Sequence, residues 1–272
     1  MPKPETISFI HVDPVSPPAP YLGGKRMLSR RIIEIINATP HDGYGEAFVG
    51  MGGVFFRRNR QPKTEVVNDI SGEVANLFRI LQRHYPQFME VMKFQLTSRR
   101  EFERLSATDP ATLTDLERAA RFLYLQRTAF GAKVASRNFA FDRRGGARFN
   151  LTRLAPLLED VHERLAGVLI ECLDWQRFLD KHDREGMLTY LDPPYFGNEE
   201  DYGKGLFGRE DFATMAQRLA KLKGSFILSI NDKPEIREMF SGFTIEAVDC
   251  TYTVNGKKPG KFGELIISGR NL

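Results

Sequence analysis

The 272 residues suffice for one large domain or a domain with an insertion; 42% hydrophobic content allows a core, and 27% charge is ordinary for a globular protein. No apolar run is long enough to span a bilayer, and the amino terminus MPKPETISFI lacks a signal-peptide pattern, so a cytoplasmic protein is expected. Two cysteines in strand-like runs, Cys172 and Cys250, and five histidines without ligand spacing point to buried thiols, not to a disulfide framework or a metal site.

The net charge of +4 is unevenly spread. Residues 93–153 hold thirteen basic side chains against six acidic ones, so a basic middle sits in a neutral-to-acidic body. That asymmetry suits a polyanion docked on the middle of the chain, while a solvated helix face explains several of the arginines individually.

In chain order, residues 1–20 are proline-rich and read as an irregular arm. Tyr21-Leu22-Gly23-Gly24-Lys25 then leads into a helix whose stripe is Met27, Ile32, Ile33, Ile35 and Ile36. The GGK lacks the upstream glycine and the following Ser/Thr of a phosphate loop, but Lys25 near a helix start suits a carboxylate. Residues 45–56 (GEAFVGMGGVFF) read as strand, glycine turn, then helix. A second strand over Thr64–Val67 ends in Asn68-Asp69, where an acid is placed to bind ribose hydroxyls; a helix over 72–84 follows.

Residues 85–150 break this rhythm. Helical patterns run over 87–104 and 113–128, and Lys133–Asn150 reads as a hairpin with an arginine-rich tip at Gly145-Gly146. Basic residues beside Phe139, Phe141 and Phe149 suit nucleic acid, though the phenylalanines equally suit packing of the hairpin. The expectation is an inserted recognition subdomain over 85–150, with 1–84 and 151–272 forming the main α/β domain.

The α/β pattern resumes with a helix over 151–166 and a strand over 168–172 ending at Asp174-Trp175, an acid–aromatic pair that suits either an adenine or the core. The apolar run Met187–Leu191 ends at Asp192-Pro193-Pro194-Tyr195, which reads as a buried strand delivering a carboxylate to a stiff loop. The Asp192 carboxylate and Pro193 carbonyl are acceptors suited to the two hydrogens of an exocyclic amine, and Tyr195 offers a ring for stacking. Phe196–Gly208 reads as a mobile segment able to order over substrate. A helix over 209–221, a strand over 225–230, a short helix and a closing hairpin of Phe243–Cys250 and Leu265–Ser268 complete the chain and make part of the sheet antiparallel.

With these pieces in order, the chain resembles the DNA adenine methylase family, the D12 class of adenine-N6 methyltransferases. The likeness rests on PYLGGK (20–25), EAFVGMGGVFF (46–56), VVNDISGEVANLF (66–78) and LDPPY (191–195), with support from RFLYLQRTAFG (121–131), RFN (148–150) and ELIISGRN near the end. It implies a Rossmann-like methyltransferase sheet with an inserted helical and β-hairpin recognition subdomain, S-adenosylmethionine as cofactor, double-stranded DNA as partner, and a monomer or weak dimer. It implies that Tyr21 and Lys25 contact the cofactor, that Phe48, Gly50 and Gly52 cradle its methionine part, and that Asp69 and Asp174 meet its ribose and adenine. Asp192, Pro193, Pro194 and Tyr195 would form the catalytic loop, with Asp192 also at the cofactor. The basic residues of the insert, Arg127, Lys133, Arg137, Arg143, Arg144 and Arg148, would meet DNA. The insert departs from the residues that read GATC in the best-known members, so no target sequence is carried over. Two other readings stay open: an RNA methyltransferase with the same loop, and a silent DNA-binding relative.

Overall fold

The computed structural model describes residues 8–21, 25, 27–132, 137–140, 148–199, 205–252 and 260–269. Leu22, Gly23, Gly24, Lys133, Phe141, Arg143, Arg144, the Gly145-Gly146 tip and the side chain of Cys250 therefore lie outside the described residues. The first elements are β1 (Ile10–His11), α1 (Ser29–Ala38), β2 (Gly43–Glu46), β3 (Arg60–Gln61), β4 (Thr64–Asn68) and α2 (Gly72–Arg83). Then come α3 (Tyr85–Met92), α4 (Arg99–Ala107), α5 (Asp115–Thr128), α6 (Leu151–Arg164), β5 (Leu169–Glu171) and α7 (Trp175–His182). The last are β6 (Met187–Leu191), α8 (Arg209–Leu219), β7 (Ser225–Asn231), α9 (Pro234–Met239), β8 (Thr244–Tyr252) and β9 (Gly260–Ser268).

Seven strands form one mixed sheet in the order β5-β4-β2-β6-β7-β9-β8. The first five run parallel, and β9 is antiparallel to both β7 and β8. The architecture is the α/β sheet flanked by helices that the sequence led us to expect. Alternating side chains of each strand feed two separate cores, as the two-residue period of a strand requires. Val67, Leu188 and Tyr190 pack with Ile32 and Ile36 of α1, Leu77 of α2 and Leu158 of α6. Val66, Met187 and Leu191 pack with Phe178 of α7, Phe212 of α8 and Ile236 of α9. Strand β6 is buried along its whole length, which is why MLTYL is apolar without alternation.

The strand order reverses between β2 and β6, which lie side by side with Glu46 opposite Tyr190. In an open α/β sheet the crevice beyond the carboxyl ends at such a switch point is where ligands sit. It lies between Ala47 on one strand end and Asp192 on the other.

Helix α5 is closed by a capping box between Thr114 and Glu117 and is buried on nearly every side, from Ala119 through Gln126. Its residues join those of α2, α3, α4 and α6 in a single core, so the inserted helices extend the main core. Several of the basic side chains of this region are neutralised locally, Arg104 by Glu101 and Arg118 by Glu73.

Five expectations need correction. The helical pattern over 87–104 is broken at 93–98, because Tyr124 and Phe149 tie that segment: the Tyr124 hydroxyl donates to the Leu96 carbonyl and the Thr97 hydroxyl to that of Phe149. Ser98 then starts α4 afresh by accepting the Glu101 amide. After the glycine turn there is only a 3-10 turn, Phe55–Arg57, since Phe55 and Phe56 are both fully buried and leave no polar face for a surface helix. The amino-terminal arm is not wholly irregular: β1 pairs with β3, and the Val15 amide donates to the Phe56 carbonyl. Cys172 is exposed, not buried, because it lies just past the end of the short edge strand β5. The closing hairpin is antiparallel as read, but its second strand starts at Gly260, not at Leu265.

Candidate active site

A cavity of about 720 Å³ occupies the crevice at the switch point. Its wall gathers Tyr21, Lys25, Phe48, Gly50, Asp69 and Asp192, six residues singled out from four separate stretches of the sequence.

The glycine turn shapes one side. Gly50 has φ +51°, and a Cβ there would come within 2.9 Å of the Tyr21 ring, so only glycine lets that ring lie on the backbone. Gly52 (φ +72°) has a different reason: a Cβ would strike Phe56 in the core at 2.3 Å, and the residue is not part of the cavity wall. Asp69 locks the turn. Its Oδ2 accepts the Gly50 amide and its Oδ1 the Ser71 amide, both at 2.9 Å. Burial pushes its carboxyl up to about 6, against the two amides that hold it down. Each oxygen retains acceptor capacity toward the cavity.

The opposite side carries the charge. Lys25, only 2% exposed, places its Nζ 2.8 Å from Asp192 Oδ1 and 2.6 Å from the Tyr195 hydroxyl oxygen, to which it donates. The same ammonium lies 4.4 Å from the centre of the Tyr195 ring and 3.7 Å from Glu264 Oε2. The Tyr195 hydroxyl in turn donates to the Glu264 carboxylate. Ser229 Oγ donates to Asp192 Oδ1 at 3.1 Å, so the Tyr190 hydroxyl, 2.7 Å behind, donates to Ser229. Both contacts fall on Oδ1 and leave Oδ2 for a donor in the cavity, onto which a fifth of the Asp192 side chain opens. Burial pushes the Asp192 carboxyl up to about 6, although Lys25 pulls it down. Glu46, at the end of β2 and bonded by the Tyr44 hydroxyl at 2.8 Å, is pushed by burial up to about 8.

The other expected residues divide between the cavity wall and its surroundings. Pro194 lines the cavity, and Pro193 is buried and not part of its wall. Asp174 caps α7, its Oδ1 accepting the Gln176 and Arg177 amides, and it is not in the cavity wall; Trp175 is a core residue of the second cluster. Arg127 lines the cavity, donating to the Pro18 carbonyl at 2.7 Å. Arg137 donates to Gln126 Oε1 and lies over the Phe122 ring, while Arg148 is exposed. Phe149 is buried against Tyr124 and Phe139 packs on Phe102, which is the packing role open to them from the start.

Sequence reasoning passed over Glu46, Glu264, Ser229, Arg57 and the arm residues Ser16–Pro20, all of which the fold brings to this cavity or its network. For two of them a signal existed: Glu46 in GYGEAFVG and Glu264 in FGELIIS are single acids among uncharged neighbours, where burial forbids an unexplained charge.

The description "D12 class N6 adenine-specific DNA methyltransferase" matches residues 21–254 of this chain. Among curated proteins, the Type II methyltransferase M1.LlaDCHI of Lactococcus lactis subsp. cremoris is 28% identical over 271 residues, covering 91% of this chain and 93% of that one. The Type II methyltransferase M.CviBI of Paramecium bursaria Chlorella virus NC1A is 24% identical over 201 residues, covering 73% and 76%. Among the described residues, no group of His, Cys, Asp and Glu is arranged to hold a metal, and no helix is long and apolar enough to cross a membrane.

Proposed function

We propose, from the premise that this chain belongs to the D12 class N6 adenine-specific DNA methyltransferase family, that it uses S-adenosylmethionine to methylate an adenine turned out of duplex DNA. The observation that carries this reading is the single cavity that joins Asp69 and the Tyr21-covered turn at one side to Asp192 at the other. Its residues fit the cofactor: a glycine backbone that a Cβ would obstruct, a carboxylate with spare acceptor capacity for a ribose, and apolar Phe48 and Phe207 for a flat ring. Tyr21, Lys25, Phe48, Gly50 and Asp69 would hold it; Asp174, expected at the adenine end, stands outside the cavity wall. When bound, the cofactor supplies a methyl group activated by a sulfonium sulfur.

The chain's own residues do the rest by position and electrostatics. An adenine amine cannot be reached within the stack, so the base is turned out at a cost of a few kcal/mol. Stacking on Tyr195, worth about 1–3 kcal/mol per base, offsets part of this. Asp192 Oδ2 and the Pro193 carbonyl accept the two amine hydrogens, which favours a pyramidal nitrogen and frees its lone pair. After transfer the surplus proton passes to Asp192, whose raised pKa makes it a stronger base than a surface carboxylate. Residues 85–150 form the proposed target-recognition part and 1–84 with 151–272 the catalytic part. Lys133, Arg137, Arg143, Arg144 and Arg148 supply phosphate contacts, and Arg127 acts from inside the cavity.

The direct test incubates the full chain with methyl-labelled S-adenosylmethionine and unmethylated duplex DNA, then digests the DNA to nucleosides. Label is expected in N6-methyladenosine of the deoxy series. Label entering structured RNA but not DNA would turn the reading to an RNA enzyme, and no label in either would leave a silent DNA-binding relative.

Asp69→Ala should weaken cofactor binding by about 10- to 100-fold, the range of one or two lost charge-assisted hydrogen bonds, and leave DNA affinity within about twofold. Titration calorimetry showing unchanged cofactor affinity would remove Asp69 from the proposed site.

A further inference from the structure

Glu264 is 1% exposed and stands on β9 directly before Leu265, Ile266 and Ile267, all core residues. A carboxylate so buried costs several kcal/mol unless it is held by partners. It is not needed to neutralise Lys25, which already has Asp192 at 2.8 Å against 3.7 Å to Glu264. It accepts a hydrogen bond from the Tyr195 hydroxyl. Glu264 is paired across the sheet with Asn231 of β7, and Asn231 holds the next residue along, accepting the Phe196 amide at 2.9 Å and donating to the Phe196 carbonyl at 3.0 Å. Two neighbouring strand positions thus clamp two consecutive residues of the loop after Asp192.

We infer that Glu264 is a positioning residue for methyl transfer: it fixes the Tyr195 ring as a stacking platform and holds the Lys25 ammonium so that Asp192 keeps Oδ2 for the incoming amine. The inference rests on the function proposed above. It differs from a packing role because Glu264 also acts on Asp192 through charge. The groups facing Asp192 are Lys25, Glu264 of β9, Ser229 of β7, Tyr190 of β6 and Glu46 of β2. Of these, Glu264 contributes the negative charge that opposes ionisation of Asp192. Removing that charge lowers the pKa of Asp192, and the acid limb of the rate profile moves to lower pH.

The experiment measures methylation of unmethylated plasmid DNA by the full chain with labelled S-adenosylmethionine across pH, for the parent, Glu264→Gln and Tyr195→Phe. An inactive parent would overturn the proposed function, and this inference with it; an active parent lets the variants decide the inference alone. Glu264→Gln keeps the shape but turns an amide toward Lys25. It should lose about 10- to 100-fold in kcat, as expected of a displaced reacting pair, keep KM for the cofactor within about twofold, and shift the acid limb downward. Tyr195→Phe keeps the ring and the Glu264 charge, so kcat should fall with the limb unmoved. An unchanged kcat in both variants would overturn the inference. So would a loss in Glu264→Gln with an unmoved limb, or one that follows cofactor affinity, because either assigns the residue to the fold. Should Glu264→Gln fail to fold, Tyr195→Phe decides: parental kcat overturns, and reduced kcat with parental cofactor affinity supports.

Discussion

Replacing Asp192 by asparagine is expected to lower kcat about 10²- to 10⁴-fold while duplex DNA binding stays within about threefold. The substitution keeps the size of the side chain and removes its ability to take a proton. It also offers the adenine amine an amide where a carboxylate stood. The pH dependence gives a second reading. In the parent, Asp192 acts as carboxylate and its pKa lies near 6, so the rate should rise with pH through about 6 and level off above. In the asparagine variant that limb should disappear. Loss through unfolding is separable, because burial raises the Asp192 pKa from 3.8 to about 6, so this carboxyl takes stability from the fold as pH rises from 3.8 through about 6, and the neutral asparagine lacks that pH-dependent loss. A variant turning over at the parental rate would remove Asp192 from the chemistry.

The second large effect concerns stability and lies at the other end of the sheet. Glu65, near the start of β4, receives Arg58 Nη1 at 2.6 Å, and Arg164 of α6 through Nη1 at 2.6 Å and Nη2 at 2.8 Å. All three side chains are almost fully buried. The Arg58 guanidinium lies 3.6 Å from the Tyr44 ring centre and that of Arg164 4.1 Å from Phe55, so neither has water to turn to. Glu65→Gln leaves two buried cations facing a neutral amide. Breaking such a cluster from one side costs about 3–5 kcal/mol, which for a chain of this size lowers the melting temperature by roughly 6–20 °C. At a temperature where the variant is still folded, its KM for the cofactor should be parental, since Glu65 is at the amino end of its strand and the cavity at the carboxyl end. Scanning calorimetry finding a melting point within 2 °C of the parent would show that the cluster contributes little.

These two sites were legible to different degrees. Asp192 announced itself because an acid, two prolines and an aromatic straight after an apolar strand leave little conformational choice. Glu65 sits in TEVVN, a pattern that fits any half-exposed strand, and Arg58 and Arg164 are 106 positions apart. Only packing reveals that one acid serves both.

Local chemistry in the chain was enough for the strand–loop junctions at 46–50, 68–69 and 191–195, the glycine turn, the helices over 72–83 and 151–164, and the antiparallel close of the sheet. In each case steric limits at Gly and Pro, or the period of apolar residues, act over a few neighbours and depend on nothing distant. Other features required the tertiary structure. Ser16, Pro17, Ala19 and Pro20 of the arm become a cavity wall, the pattern over 87–104 splits where Tyr124 and Phe149 hold the chain, and Gly52 serves the core while Gly50 serves the cavity. Most of all, folding brings Lys25, Asp192, Tyr195 and Glu264 into one hydrogen-bonded cluster. Contacts between residues 170 positions apart carry no local period, and their strength comes from burial, which exists only once the sheet has assembled.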